Sequence, residues 1–265
     1  MSAASAQTMD ATPPVVIGMN NFVHATANLE KTTAFYRDIF GLDQPPPPRP
    51  PNPAVPALIG VPGAQLQVRI FPISGAFGFE LTHFGAIELK DAQGRPTDPG
   101  VASLSIRVRD LGPVVSAIEK AGAPIVTRET LSITVRDPDG YLVEVVQVSP
   151  AADAPATGDA PVTGNILGAS MGLAVSDLER TRRFYRDLLG FELRGDSRQL
   201  AGNVPGTKAR MEFHEFSRVP RTPFHLRVAD LVSTGGVPAQ FSPTIRNIFV
   251  EDPDGFKIEL YQVSQ

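Results

Sequence analysis

The sequence predicts an α+β protein built from repeated units of strands and one helix, and three observations lead to this fold class. Residues 32–42, with an amphipathic Phe-Tyr pattern, return as residues 181–191. Residues 135–144, an Asp-Pro-Asp-Gly turn and a strand ending in Glu, return as residues 250–259. Short alternating apolar segments typical of strands lie between these motifs. Because both motifs recur in the same order, the chain is a tandem duplication.

Composition limits the classes of partner. The chain has 265 residues, 42% of them hydrophobic and 20% charged, which favours a globular protein of two domains. The net charge of −4, with both signs interspersed, predicts that nucleic acid is not a partner. The sequence contains no window of about 18 apolar residues, so no membrane span is predicted. Cysteine is absent, which excludes thiol catalysis and thiolate metal sites. We expect a small-molecule ligand and a monomer or homodimer.

The first 15 residues are predicted to be a disordered tail. Ala4-Ser5-Ala6 before Gln7 is similar to the cleavage end of a secretory signal, but the basic and apolar parts of such a signal are missing. The expected location is therefore cytoplasmic, with a periplasmic or exported location as the alternative if these residues are a trimmed signal end.

The first half is predicted to contain two units. Residues 17–27 form a strand, and Asn28 caps a helix that Gly41 ends. The proline-rich segment 44–56 predicts polyproline II structure. Strands follow at 64–71 and 77–84.

The second unit begins with a strand at 102–108. Asp110 caps a helix over 112–120, which Gly122 ends, and the Asp137 turn precedes a last strand through Val146.

The second half is a shortened copy. A linker is predicted at 149–164, which separates a first domain (16–148) from a second (165–265). Asp177 and Gly190 repeat the helix cap and the helix end. No helical pattern follows Leu231, so we expect no long helix between Leu231 and Asn247.

Both repeated motifs resemble the vicinal oxygen chelate superfamily, which includes glyoxalase I, bleomycin-resistance proteins and extradiol dioxygenases. The resemblance implies tandem βαβββ units that form curved mixed sheets with the helices on the convex side. It also implies a divalent metal ion (Mn, Ni, Fe, Zn or Mg) on the concave face, where two neighbouring substrate oxygens chelate.

The resemblance also implies ligand positions. The first-strand positions, where the family has His or Gln, are Asn21, Ser103, Ser170 and Pro223. The terminal-strand carboxylates are Glu80, Glu144, Glu212 and Glu259. The first half thus offers Asn21, Glu80, Ser103 and Glu144.

Strand parity suggests that histidines replace the missing ligands, because residues two apart share a face. His214 shares a face with Glu212, and His225 lies two residues after Pro223. With Glu259 these residues would form a two-His, two-Glu cluster in the second half. His24 and His83 have the opposite parity and should face the helices.

We therefore predict catalytic roles for Glu144 and Glu259. Glu144 shares its face with Leu142 and Val146, and a carboxylate in such an apolar concavity serves as a metal ligand or general base. Glu259 shares its face with Lys257 and Tyr261 and is expected to lie beside a cation. The predicted metal ligands are Glu80, Glu144, Glu212, His214, His225 and Glu259. The predicted function is that of a divalent-metal-dependent lyase or isomerase. The alternatives are a metal-free small-molecule binding protein of the bleomycin-resistance type and, third, an extradiol dioxygenase.

Overall fold

A computed structural model describes most of the chain. The described residues are 16–42, 55–58, 61–74, 77–89, 92, 94–99, 101–148, 164–194, 199–203, 210–215, 224–228, 239–254 and 257–263. The predicted tail, nearly all of the linker and the proline-rich segment, and residues 229–238 lie outside them.

The first half contains two strand-helix units, as predicted. The elements of unit 1 are β1 (Val16–Thr26), α1 (Leu29–Phe40), α2 (Val55–Leu58), β2 (Gln65–Ser74) and β3 (Phe77–Gly85). Those of unit 2 are β4 (Ala102–Val108), α3 (Leu111–Ala121), β5 (Ile125–Arg128), β6 (Ser132–Arg136) and β7 (Leu142–Gln147).

The second half repeats this order. The elements of unit 3 are β8 (Ile166–Val175), α4 (Leu178–Arg182) with a π-helical continuation (Arg183–Leu188), β9 (Glu192–Arg194), β10 (Gln199–Asn203) and β11 (Arg210–Glu215). Unit 4 has β12 (Phe224–Val228), β13 (Ala239–Ser242), β14 (Ile245–Glu251) and β15 (Lys257–Val263).

The helix boundaries confirm the prediction from the caps. The side chain of Asn28 accepts a hydrogen bond from the Lys31 amide, and Gly41 ends α1 in the left-handed region at φ 63°. Asp177 caps α4 in the same way. Two findings differ from prediction: the helix after Asp177 becomes π-helical, and Pro56 lies in the first turn of α2, where a missing N–H costs no hydrogen bond.

The strands form two curved mixed sheets, which confirms the predicted fold class. Sheet 1 has the order β13-β14-β15-β12-β1-β3-β2, and sheet 2 has the order β5-β6-β7-β4-β8-β11-β10-β9. Because β1 pairs with β12 and β4 pairs with β8, each sheet joins one unit from each half. The expectation that the first half builds its own site is therefore wrong.

The core lies between the helices and one face of each sheet. Tyr36 of α1 is fully buried and packs edge-on against Phe79 at 4.7 Å between ring centroids. Tyr185 occupies the corresponding place in the second half and packs against Phe191. The two tyrosines are therefore equally buried, but their aromatic partners differ, because Phe191 is equivalent to Leu42 of the first half and not to Phe79.

The two repeated motifs contact each other. The Tyr36 hydroxyl donates to Asp137 Oδ2 at 3.0 Å, and the Tyr185 hydroxyl donates to Asp252 Oδ2 at 2.9 Å. Each Asp-Pro-Asp-Gly turn is thus fixed to the helix of the preceding unit in its own half. The motifs therefore recur because they join neighbouring units.

Residues 229–238, where the fourth unit was expected to lack a helix, lie outside the described part of the chain. Residues 239–247 belong to β13, a turn and β14. No described helix is long and apolar enough to cross a membrane.

Candidate functional site

One row of polar residues crosses sheet 1 on the face opposite α1. It takes one residue from each of four adjacent strands, which we call the first row: Glu259, His225, Asn21 and Glu80. The Cα of His225 lies opposite that of Glu259. Phe224 pairs with Phe22, and a bulge between Met19 and Phe22 leaves His225 beside Asn21 in the register.

Two neutral donors hold the Glu80 carboxylate. The Asn21 side-chain amide donates to Glu80 Oε2 at 2.7 Å, and the Thr82 hydroxyl donates to Oε1 at 2.9 Å. All three side chains are buried. A Cβ added at Gly78 would lie 2.6 Å from Ile70 Cγ2 and 2.9 Å from Asn21 Oδ1, so a side chain there would displace both.

An asparagine also holds the Glu259 carboxylate at the other end of the row. Asn247 Nδ2 donates to Glu259 Oε1 at 2.5 Å. Glu259 is 8% exposed and Asn247 is 1% exposed. The first row therefore has an amide-bound carboxylate at each end.

The equivalent face of sheet 2 carries a second row: Glu144, Ser105, Ser170 and Glu212. The Ser105 hydroxyl donates to Glu144 Oε2 at 2.9 Å, and Ser105 pairs directly with Ser170. Glu212 is paired with Gly172, two residues beyond Ser170, so it shares their face. Ser105 and Ser170 thus occupy in the second row the strand positions that His225 and Asn21 occupy in the first row.

These rows correct the predicted groupings. Glu212 and His214 belong to sheet 2, whereas His225 and Glu259 belong to sheet 1, so the two-His, two-Glu cluster is not formed. The first-half set is divided in the same way, because Glu144 with Ser103 lies on sheet 2. The predicted groups are divided because strands of the two halves pair with each other, and a local sequence pattern does not predict such pairing.

The register also refines two first-strand positions. Ser105 and His225 lie directly opposite Glu144 and Glu259, two residues along the strand from Ser103 and Pro223. Sequence reasoning missed Ser105, Thr82 and Asn247. Ser105 could have been found from the sequence, because it lies two residues after Ser103 and therefore shares its face of the strand.

The other face of sheet 1 holds a separate ionisable group at the junction of the two sheets. The ligand atoms of His24, Asp137 and Asp139 all lie within 4.8 Å of one another, close enough to hold an ion. His24 Nε2 is 2.8 Å from Asp137 Oδ2 and 3.6 Å from Asp139 Oδ2. The His24 ring also lies 4.5 Å from the ring of Tyr141.

Protein donors already fill this group. Asp137 Oδ1 accepts from the amides of Asp139 and Tyr141, and Asp139 accepts from the Ala27 amide and the Thr32 hydroxyl. An ion would have to displace these donors. His24 therefore faces the helix side, as parity predicted, and so does His83, whose Nδ1 lies 3.0 Å from the Thr26 carbonyl oxygen.

The pKa values of this group describe a buried ion pair. Burial lowers the pKa of His24, but the carboxylates of Asp137 and Asp139 outweigh burial and raise it to about 9. Burial raises the pKa of Asp139, and hydrogen bonds from His24, Thr32 and Ala27 lower it to about 2. At neutral pH the imidazole is thus a cation between two carboxylates.

The second half shows that the turn does not need this histidine. Leu173 stands at the position equivalent to His24, yet Tyr185 still binds Asp252. There the second carboxylate, Asp254, accepts hydrogen bonds from Ser176 and lies 3.4 Å from Arg180 Nη2. The His24 group is accordingly a connection between units.

Of the two rows, the first has the donor types that divalent ions bind. Two carboxylates, an amide oxygen and an imidazole are ordinary ligands for Mn, Fe, Ni, Mg or Zn, whereas the hydroxyls of the second row are poor ones. The buried Asn247 Oδ1 beside Glu259 also has no hydrogen-bond partner among the described residues. The first row therefore fits an ion better than the second.

The profile of the Glyoxalase/Bleomycin resistance protein/Dioxygenase superfamily matches residues 18–145 and 168–260. The chain belongs to this superfamily, and each half matches separately. No curated protein sequence gives a significant match.

Solved structures share the two-half architecture. Glyoxalase I from Zea mays is 20% identical, with 92% of each chain covered and a TM-score of 0.62. A protein described as a dioxygenase from Bacillus subtilis is 14% identical, with 95% of this chain and 87% of that chain covered and a TM-score of 0.62. At these identities the likeness establishes the fold alone.

Proposed function

We propose that this protein is a divalent-metal-dependent lyase or isomerase that acts on a small substrate with two neighbouring oxygens, and that its active centre is the first row on sheet 1. The observation that carries the proposal is the pairing of two buried, amide-held carboxylates, Glu80 and Glu259, on one face of one sheet. Neighbouring strands lie about 4.8 Å apart, so the backbone distance across the row is roughly 14 Å, and the inward curvature of the sheet shortens the gap between the long side chains.

Each residue of the first row has a role in this proposal. Glu80, Glu259, His225 and the amide oxygen of Asn21 would hold the ion. The bound ion supplies Lewis-acid polarisation of the substrate oxygens. Glu259 takes the proton from the substrate carbon and returns it, while Asn247 keeps its carboxylate oriented. Glu144, Glu212 and His214 form the weaker candidate centre on sheet 2.

The test is a titration of the ion-free protein with Mn²⁺, Ni²⁺, Fe²⁺, Zn²⁺ and Mg²⁺ by calorimetry. We expect about one ion per chain. His225→Ala and Glu80→Gln should each weaken binding by at least about tenfold, because a removed ligand costs more than about 1.4 kcal/mol. His214→Ala serves as the matched control on sheet 2 and should leave affinity unchanged. An effect of His214→Ala in place of His225→Ala would move the centre to the second row.

The metal-free binding protein is the second candidate. The observation that favours it is the absence of the family's histidines at Asn21, Ser103 and Ser170, together with the amide donors that already occupy both first-row carboxylates. Failure of all five ions to bind at millimolar concentration would support this candidate. An extradiol dioxygenase is disfavoured, because it needs two histidines and a carboxylate on its iron, and the first row contains one histidine.

A further inference from the structure

Asn247 lies on the same face of sheet 1 as the first row. It is on β14, the strand next to β15, and its Cα is opposite that of Tyr261, two residues after Glu259. Residues two apart on a strand share a face, so Asn247 and Glu259 project together. With 1% of its surface exposed, Asn247 is buried beside the carboxylate.

The chemistry of the carboxylate fixes which way this amide points. An ionised carboxylate only accepts hydrogen bonds, so the amide nitrogen of Asn247 must face Glu259 Oε1, which it contacts at 2.5 Å. The amide oxygen then points away from the carboxylate. This Oδ1 is buried and has no donor among the residues that the structure describes.

An unpaired buried acceptor is costly. Its lost hydrogen bond destabilises a protein, so natural proteins seldom keep such an acceptor without a partner. A hydrogen-bond donor on a bound molecule would remove this cost in the complex. A site that contains such an acceptor discriminates against ligands without the donor, because they leave the acceptor unpaired.

We propose that Asn247 is a specificity-determining residue of the first-row centre: its Nδ2 positions Glu259, and its Oδ1 accepts a hydrogen bond from a hydroxyl group of the bound substrate. The inference rests on the proposed function for the location of the substrate. The ligand class is accordingly a small molecule with a hydroxyl beside a carbonyl, and a dicarbonyl of the same size is the disfavoured analogue.

The second row supports the inference by contrast. The residue at the equivalent position of β6 is Ser132, whose Cα pairs with that of Val146 as Asn247 pairs with Tyr261. The fold therefore accepts a small hydroxyl residue there and does not itself require an asparagine. Asn247 is specific to the sheet that carries the better ion-binding residues.

The experiment compares two probes on each variant. 3-Hydroxy-2-butanone and 2,3-butanedione, which have the same carbon skeleton, are titrated against Mg²⁺-loaded protein by ligand-observed NMR, and Mg²⁺ affinity is measured separately by calorimetry. The wild type should bind 3-hydroxy-2-butanone several-fold to about tenfold more tightly, as expected for one hydrogen bond. Asn247→Leu should bring the ratio of the two affinities close to one.

The ratio separates the two roles of the amide. Loss of Glu259 orientation weakens the binding of both probes together, whereas loss of the acceptor weakens only the binding of 3-hydroxy-2-butanone. Asn247→Ser, which introduces the residue of the second row, should also lower the ratio and guards against misfolding of Asn247→Leu. Ser132→Ala is the matched control and should leave the ratio unchanged.

An equal ratio in the wild type and in both Asn247 variants, or no binding of either probe, would overturn the inference. If Mg²⁺ does not bind but another of the five ions does, the probes are titrated against protein loaded with that ion. If none of the five ions binds, the proposed function fails, and the same probes are then titrated against the ion-free protein. A hydroxyl preference that both Asn247 substitutions abolish would uphold the role of Asn247 without the ion. No preference in that case would overturn both proposals.

Discussion

His24 should make the stability of the protein depend on pH in the mildly alkaline range. Its imidazole is 4% exposed and lies 2.8 Å from Asp137. The pKa of His24 is raised from 6.5 to about 9, because Asp137 and Asp139 outweigh the effect of burial. A difference of roughly 2.5 pKa units at 1.36 kcal/mol each corresponds to roughly 3 kcal/mol of unfolding free energy.

The sign follows from linkage. The folded state binds the proton more tightly than the unfolded state, so this contribution is fully present below pH 6.5 and is lost as the pH rises through 9. His24→Leu, which introduces the residue of the second half, removes the cation beside Asp137 and leaves this carboxylate with its hydrogen bonds from Tyr36, Asp139 and Tyr141. At pH 6 we expect it to lower the free energy of unfolding by about 3 kcal/mol, the contribution of the His24 proton.

The assay is urea unfolding followed by circular dichroism at half-unit steps from pH 6 to 9.5. The wild type should lose stability steadily over this range, and His24→Leu should lack that component of the loss. His24→Gln, which keeps a side-chain donor without the charge, should follow His24→Leu in its pH dependence. Parallel curves for the wild type and both variants would refute the buried ion pair.

Three further predictions concern the two sheets. Gly78→Ala should weaken ion binding several-fold and also lower the urea midpoint, because the new Cβ would displace both Asn21 and Ile70. Calorimetry measures the affinity, and unchanged affinity would contradict the role of the Asn21 amide. Tyr36→Phe should lower the free energy of unfolding by about 1.5–3 kcal/mol, the value of a hydrogen bond to a buried charge, and a loss below about 0.5 kcal/mol in urea titration would count against it. The pKa of Asp139 is lowered to about 2, so its ionised carboxylate stabilises the fold above pH 3.8, and this effect is lost as the pH falls through 2. NMR measures the titration of this carboxyl group, and a titration near pH 4 would disprove its contacts with His24 and Thr32.

Local features were predictable from the sequence. Asn28, Gly41 and Asp177 lie where the chain itself demands a cap or a left-handed residue, so the helix ends agree with the prediction. Strand parity correctly separated His24 from Asn21, because alternation of faces needs no knowledge of neighbours.

The pairing of strands was not predictable in the same way. A duplicated chain can close each half on itself or exchange partners between halves, and the residues of β1 and β12 are compatible with either choice. This single choice determines that Glu80 shares a row with Glu259 and not with Glu144. Asn247 and Thr82 were missed because their roles depend on hydrogen bonds that exist only in the final register.

The paired substitutions Glu259→Gln and Glu144→Gln test the central claim most directly. The two residues are equivalent in the duplication, and each substitution keeps size while removing one charge. Calorimetric titration with Mn²⁺ should show affinity lowered by at least about tenfold for Glu259→Gln and unchanged for Glu144→Gln, if the ion binds on sheet 1 as proposed. Loss of affinity with Glu144→Gln alone, or equal affinity in all three proteins, would contradict the account.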